Sequence, residues 1–167
     1  QGTISFTDPW LFDRPLSGGF DIYKSIRIYQ DYTYDTTGLN LRLSHPFAEY
    51  WRWNTGYRLS QDIVKDLSAT APPDLVEQRG TTITSAIGGS LTRDSRDLVA
   101  APSKGGQTVF SADFAGLGGD AQFYKFTFLQ TYFWPIWFGH ILGSRFEAGF
   151  VEGWGGKEVP IYERFYL

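Results

Sequence analysis

Two histidines, His45 and His140, are the only imidazoles in the 167 residues, and there is no cysteine. Nucleophilic catalysis would need a base beside an activated hydroxyl. His45 instead precedes a turn proline, and His140 falls on an apolar strand face. A triad is defined by geometry and not by spacing, but no nucleophile elbow and no His-Glu-x-x-His pair occurs. Gly116-Leu117-Gly118-Gly119 lacks the strand–turn–helix setting of a phosphate loop. The sequence therefore argues against an enzyme and offers no catalytic, cofactor-binding or metal-ligating set. An outer-membrane phospholipase or protease barrel is the enzymatic alternative, and it would need Ser–His or Asp–His at one rim.

Two charged stretches are more informative. In Arg93-Asp94-Ser95-Arg96-Asp97 the residues Arg93, Asp94, Arg96 and Asp97 alternate in sign at a strand end. They could pair across a turn at a headgroup boundary, or form only a solvated turn with ion pairs worth about 0–1 kcal/mol each. The second stretch runs from Gly153 through Gly155, Gly156, Lys157 and Glu158 to Tyr162, Glu163, Arg164 and Phe165. It reads either as a mobile surface loop or as a segment folding back onto the sheet. In the second case its charges would meet Arg42, Arg52, Arg58, Arg145 and Glu147, which occupy the polar faces of strands.

Those faces follow from alternation. Phe20, Ile22, Ile26 and Ile28 share one side of a strand over 19–30, interrupted by Lys24. Leu39, Leu41 and Leu43 alternate with Asn40, Arg42 and Ser44, and His45-Pro46 is expected to close that strand. Trp51, Trp53, Tyr57 and Leu59 oppose Arg52, Asn54 and Arg58; later strands set Ile83, Ile87 and Leu91, then Phe110 and Phe114, against small polar residues. Leu117–Asp120 reads as a compact hairpin. Tyr124, Phe126, Phe128, Tyr132 and Trp134 form one face before a tight Trp134–Trp137 turn, after which Phe138, Leu142, Phe146 and Phe150 oppose Arg145 and Glu147. Ile63–Arg79, with Ala71-Pro72-Pro73-Asp74, is the longest unpatterned connection, with a short helical turn expected at Ile63–Leu67.

About eight strands in meander order result. Aromatics are 18% of the chain, there are 19 glycines, and no run reaches the roughly 18 apolar residues of a membrane helix. Net charge is −3, which leaves no basic footing for nucleic acid. Long strands, polar faces poor in Lys and Glu, and Trp10, Trp51, Trp134 and Trp137 near one end favour an all-β, antiparallel up-and-down transmembrane β-barrel. A soluble sandwich or lipocalin-like barrel, and a self-contained eight-stranded adhesin or small pore, are the alternatives. The absence of methionine at position 1 and the start within a strand-like run suggest a segment of a longer protein.

Ile4-Ser5-Phe6-Thr7-Asp8-Pro9-Trp10 with Arg14-Pro15-Leu16-Ser17 resembles the early barrel segment of the Omp85 family of outer-membrane assembly factors. Ser90–Asp97, with Pro102 and Gly105, is similar to its strand-to-turn element, and Gly153–Leu167 to the start of its extracellular loop six. The resemblance implies that residues 1–167 are the middle of a sixteen-stranded wall, without POTRA domains or the first and last strands. It implies a periplasmic Trp-rich end, with the Arg93–Asp97 cluster in a periplasmic turn. It also implies an extracellular Ile63–Arg79 and location in the bacterial outer membrane. The implied partners are outer-membrane lipid, unfolded outer-membrane protein substrates, the rest of the barrel and accessory lipoproteins, with no cofactor and no nucleic acid.

Overall fold

The computed structural model describes residues 1–68, 76 and 79–165. Eight strands, β1 (Gly2–Asp8), β2 (Ser17–Ile28), β3 (Thr33–Ala48), β4 (Trp51–Lys65), β5 (Gly80–Asp94), β6 (Gly105–Ala115), β7 (Phe123–Pro135) and β8 (Ile141–Gly153), make one antiparallel sheet in chain order. At about 3.3 Å per residue, the 13 residues of β7 outreach a bilayer core of roughly 30 Å even when tilted. Among the described residues β1 pairs only with β2 and β8 only with β7, so the sheet has two open edges. A self-contained eight-stranded barrel would require those edges to pair.

The alternation sorts side chains cleanly. One row across the sheet carries Leu41, Tyr57, Ile87, Phe114 and Tyr124, all on the outer face. The adjacent row carries Gly19, Arg42, Gly56, Gly88, Asp113 and Lys125 on the inner face. The apolar outer side chains are the exposed ones: Ile4 is 69% accessible, Phe110 48% and Phe146 61%. Ser60, Asp62, Thr84, Ala86, Ala115 and Phe123 are buried on the polar inner side, and the outward groups that are buried include the polar Thr33, Asp35 and Ser85. A soluble barrel would be arranged the other way round, because burial of apolar surface is what stabilises it in water. This sheet is built for apolar surroundings outside and polar ones within.

Several boundaries differ from the sequence expectation. β3 does not stop at His45-Pro46; it continues to Ala48 with a bulge, and Glu49-Tyr50 makes the turn. β2 ends opposite Ser44, so beyond that point β3 has a free edge that tolerates a proline lacking a donor. Ile63–Lys65 is not helical but ends β4, paired with Thr33–Asp35; the β-branched Ile63 and Val64 favour the pleat, and Asp66 at φ 55° turns the chain away. The Ala71-Pro72-Pro73-Asp74 segment lies outside the described residues. β2 and β3 are joined by the short connection 29–32, closed by Tyr29 N–H donating to the Tyr32 carbonyl (2.8 Å).

The Trp134–Trp137 turn is broader than expected. β7 runs through Pro135, and a 3₁₀ turn at Trp137–Gly139 reverses the chain with Phe138 at φ 57°, which places Phe138 in the turn and not in β8. Leu117–Asp120 is likewise no simple hairpin. Because β5–β6 pairing begins only at Ala86–Ala115, residues 116–122 cover the bare edge of β5. Gly116 N–H donates to Ser85 O (3.0 Å), Asp120 N–H to Ile83 O (2.7 Å), and the Asp120 carboxylate accepts Ile83 N–H (2.9 Å). Trp10, Trp51, Trp134 and Trp137 all lie at the end of the sheet that bears the β1–β2, β3–β4, β5–β6 and β7–β8 connections.

At that same end Arg93–Asp97 is organised by its carboxylates. Arg96 grips Asp94 through Nε (2.9 Å) and Nη2 (2.6 Å), while Arg93 reaches Ser95 Oγ (3.5 Å). Asp97 accepts backbone N–H groups of Leu98 (3.0 Å), Ser103 (2.9 Å) and Lys104 (3.2 Å) and the Ser103 hydroxyl. The Ser103 hydroxyl and backbone bonds hold the Asp97 carboxyl below its usual range. A lowered folded value means stabilisation that is complete above the ordinary carboxylate pKa of about 4 and disappears as pH falls through the lower folded value. Asp97→Ala is expected to accelerate amide exchange at Ser103 and Lys104 several-fold at neutral pH. Wild type should approach the variant only in strong acid, as hydrogen-exchange mass spectrometry can show.

Candidate functional site

After β8 the chain folds back across the inner face. Trp154 anchors the departure: its Nε1–H donates to the Ala115 carbonyl (2.9 Å) and its ring stacks on Phe114 (5.4 Å). Gly155 and Gly156 adopt φ of +65° and +77°, the left-handed backbone that a side chain disfavours, and reverse the chain. Val159 then packs against the small inner cluster of Ala86, Ala115, Ala121 and Phe123. A 3₁₀ turn at Ile161–Glu163 aims Tyr162 and Glu163 into the concavity. Arg164 braces this strap from within, donating from Nε to Val159 O (3.0 Å) and lying 3.4 Å from Glu158.

Three contacts pin it. Glu163, buried, meets Arg58 of β4 at 2.6 Å and Lys125 of β7 at 3.3 Å, and its carbonyl accepts a second bond from Lys125 (3.0 Å). Tyr162 rests on Tyr34 (5.1 Å between rings), with its hydroxyl 3.3 Å from Thr84 Oγ1, and burial pushes its phenol up. The seat beneath is held by Asp62, whose carboxylate accepts hydroxyls of Tyr34 (2.7 Å), Thr36 (2.7 Å), Ser60 (2.8 Å) and Thr84 (3.1 Å). Finally, Phe165 lies on the bare backbone of Gly149, where a Cβ would come within 2.4 Å of the ring, and Lys125 sits 4.9 Å from the ring centre.

Of the inner charges expected to meet the strap, only Arg58 does so. Arg42 pairs with Asp21 (2.7 Å) and reaches Thr7, Arg52 donates to Ser44 (3.2 Å), and Arg145 pairs with Glu147 (2.9 Å) near the β8 edge. These four residues have nearer partners on their own or neighbouring strands, so they line the wall without holding the strap. Lys125, Asp62, Tyr34 and Thr84 were missed as site residues. Their signal was parity: Asp62 shares the face of Arg58 four residues earlier, and Thr84 lies opposite Ser60. Beside the strap a concavity of about 640 Å³ remains, lined by Arg42, Asn54, Arg58, Ser111, Asp113 and Lys125 among others. Its polar walls can hold water, a folded-back loop or a polar chain.

The family model described as the Omp85 superfamily domain matches residues 1–167, the whole chain. The chain belongs to the Omp85 superfamily. Similar curated Omp85 relatives include the outer membrane protein assembly factor BamA of Nitratidesulfovibrio vulgaris, 34% identical over 167 residues, which cover 98% of this chain and 21% of that protein. BamA of Neisseria meningitidis serogroup B is 30% identical over 190 residues, 99% of this chain and 23% of its own. The chain thus spans about a fifth of the length of these relatives. The crystal structure of BamA from Haemophilus ducreyi lacking POTRA domains 1–3 superposes with a TM-score of 0.85 at 16% identity, over 98% of this chain and 35% of that one. The Omp85 fold therefore accounts for the up-and-down order of all eight strands.

Proposed function

We propose that this chain is a length of barrel wall in an integral outer-membrane assembly factor, one that folds and inserts β-barrel proteins into the bacterial outer membrane. The observation that carries this reading is the open two-faced sheet: apolar outward, polar inward, unpaired at both edges among the described residues, with a strap pinned across its concave side. Supporting it are the curated relatives, which carry the name of assembly factors and not of enzymes. In this reading both edges continue into further strands of the same barrel, with POTRA domains ahead of it. The strap from Gly153 to Phe165 is the root of loop six, and the Trp-rich end with the Arg93–Asp97 turn faces the periplasm. Lipid contacts the outer face; substrates are unfolded outer-membrane proteins, and accessory lipoproteins complete the assembly. The contribution of this segment is mechanical: a stiff wall, a polar interior and a fixed seat for one loop.

The test is complementation of cells depleted of their own assembly factor with the full-length protein containing this segment. Restored levels of heat-modifiable outer-membrane barrels are expected, with a reduced level when Tyr162, Glu163 and Phe165 are all replaced by alanine. Full-length protein that folds in the outer membrane yet leaves substrate barrels at the depleted level would overturn the reading.

A further inference from the structure

Asp113 of β6 faces Lys125 of β7 directly across the strand pair, on the inner side of the sheet. Residues opposed in this way have Cβ atoms about 4.5–5.5 Å apart, close enough for an aspartate and a lysine to pair. These two do not. The Lys125 ammonium reaches past its neighbour to the strap, where it meets the Glu163 carboxylate at 3.3 Å and the Glu163 carbonyl at 3.0 Å. Arg58 turns to the same carboxylate at 2.6 Å. Asp113 stays half-buried in the wall of the concavity, and among the described residues it accepts no hydrogen bond and has no cation within 4.0 Å.

The Asp113 carboxylate lies over the bare backbone of Gly88 of β5, where a Cβ would come 2.0 Å from Oδ1, so it leans away from Lys125. Gly56 of β4 is level with Gly88, and the inner floor on that side of Asp113 therefore carries no side chain for two strands. Of the charges around it, Arg58 and Lys125 attract Asp113 and Glu163 repels it. With the strap seated, Glu163 satisfies both cations and Asp113 is the spare anion. With the strap lifted, Arg58 and Lys125 would stand together in a partly desolvated wall, where an unpaired charge is costly. A lysine ammonium turns on a flexible four-carbon stem and carries three donors. Swinging Lys125 from the strap to its cross-strand neighbour needs no backbone movement.

We propose that Lys125 is the pivot of a charge exchange: it holds Glu163 while the strap is docked and pairs with Asp113 when the strap lifts. The wall then supplies its own replacement for the carboxylate that leaves, and Asp113 and Glu163 are rivals for one cation. Release of the strap costs less than the loss of its ion pairs alone, which makes the strap a reversible latch. The exchange concerns strap and wall only and holds whatever the barrel assembles.

Zero-length carbodiimide coupling of the full-length protein in lipid vesicles joins an amine to a carboxylate in contact, and mass spectrometry of chymotryptic peptides identifies the pair. Wild type is expected to give mainly Lys125–Glu163. Tyr162→Ala with Phe165→Ala loosens the strap but keeps Glu163, and should raise Lys125–Asp113 coupling about fivefold at the expense of Lys125–Glu163. Glu163→Gln should raise Lys125–Asp113 coupling in the same way and serves if the double variant fails to insert, as heat-modifiable mobility reports. Spin labels at Glu158→Cys and Thr131→Cys give the second reading. Asp113→Asn should raise the docked-to-undocked ratio about fivefold, and less than about twofold once Lys125→Gln is present. Lys125–Asp113 coupling that does not rise when the strap is loosened would overturn the exchange. So would an Asp113→Asn effect of the same size with and without Lys125, which would mean that Asp113 acts by repelling Glu163 alone.

Discussion

Phe110→Arg is expected to destabilise the membrane-embedded protein by about 2–4 kcal/mol, whereas Ser111→Arg, one residue along, should cost less than about 1 kcal/mol. The two positions are adjacent in β6 and differ only in the face they present. Phe110 lies outward, 48% accessible, near the middle of the strand and level with Leu91 and Phe128. A guanidinium there enters hydrocarbon without a partner. Ser111 lines the inner concavity, where an added arginine points into polar space beside Asn54 and Asp113. Reversible unfolding in lipid vesicles measures both. Equal costs, or a larger one at Ser111, would mean that the faces are assigned the wrong way round.

Loss of Glu163 should release the strap. Charge-assisted hydrogen bonds of this kind contribute about 1.5–3 kcal/mol each, and the partial exposure of Arg58 (37%) argues for the lower end of that range. Glu163→Gln should therefore shift the docked-to-undocked ratio by roughly 2 kcal/mol, about thirtyfold. Because the chain has no cysteine, spin labels at Glu158→Cys and Ser111→Cys are unambiguous. The docked distance should lose population in Glu163→Gln. Combining that change with Arg58→Ala should add less than the sum of the two single effects, since both act on one pair. Gly149→Val attacks the other anchor: its side chain would occupy the space of the Phe165 ring, an overpacking worth about 1–3 kcal/mol. An unchanged distance distribution in both variants would show that the strap does not depend on these contacts.

Much of this architecture was legible because a membrane sheet repeats a two-residue pattern. Leu39–Leu43, Trp51–Leu59 and Tyr124–Trp134 declare their faces without help from any partner. What parity does not reveal is where a strand ends. Pro46 stays in β3 because β2 has already stopped beside it, and Ile63–Val64 extend β4 because Tyr34 and Asp35 extend β3 to meet them. Both depend on neighbours far along the chain. The site was half legible for the same reason. Arg58 and Glu163 stood out as charges, but their meeting, 105 residues apart, is set by Gly155 and Gly156 reversing the chain after Trp154. Asp62 was overlooked because its partners are hydroxyls, not cations, and hydroxyls on a polar face look alike in sequence.

The sheet has one orientation: outer face to lipid, inner face to water and strap. Spin labels placed singly at each residue from Tyr124 to Tyr132 in the membrane-embedded protein test it directly, through collision with oxygen and with a water-soluble nickel complex. Even-numbered positions should be open to oxygen, and odd-numbered ones at 129 and 131 open to nickel. An alternation of opposite phase would contradict it.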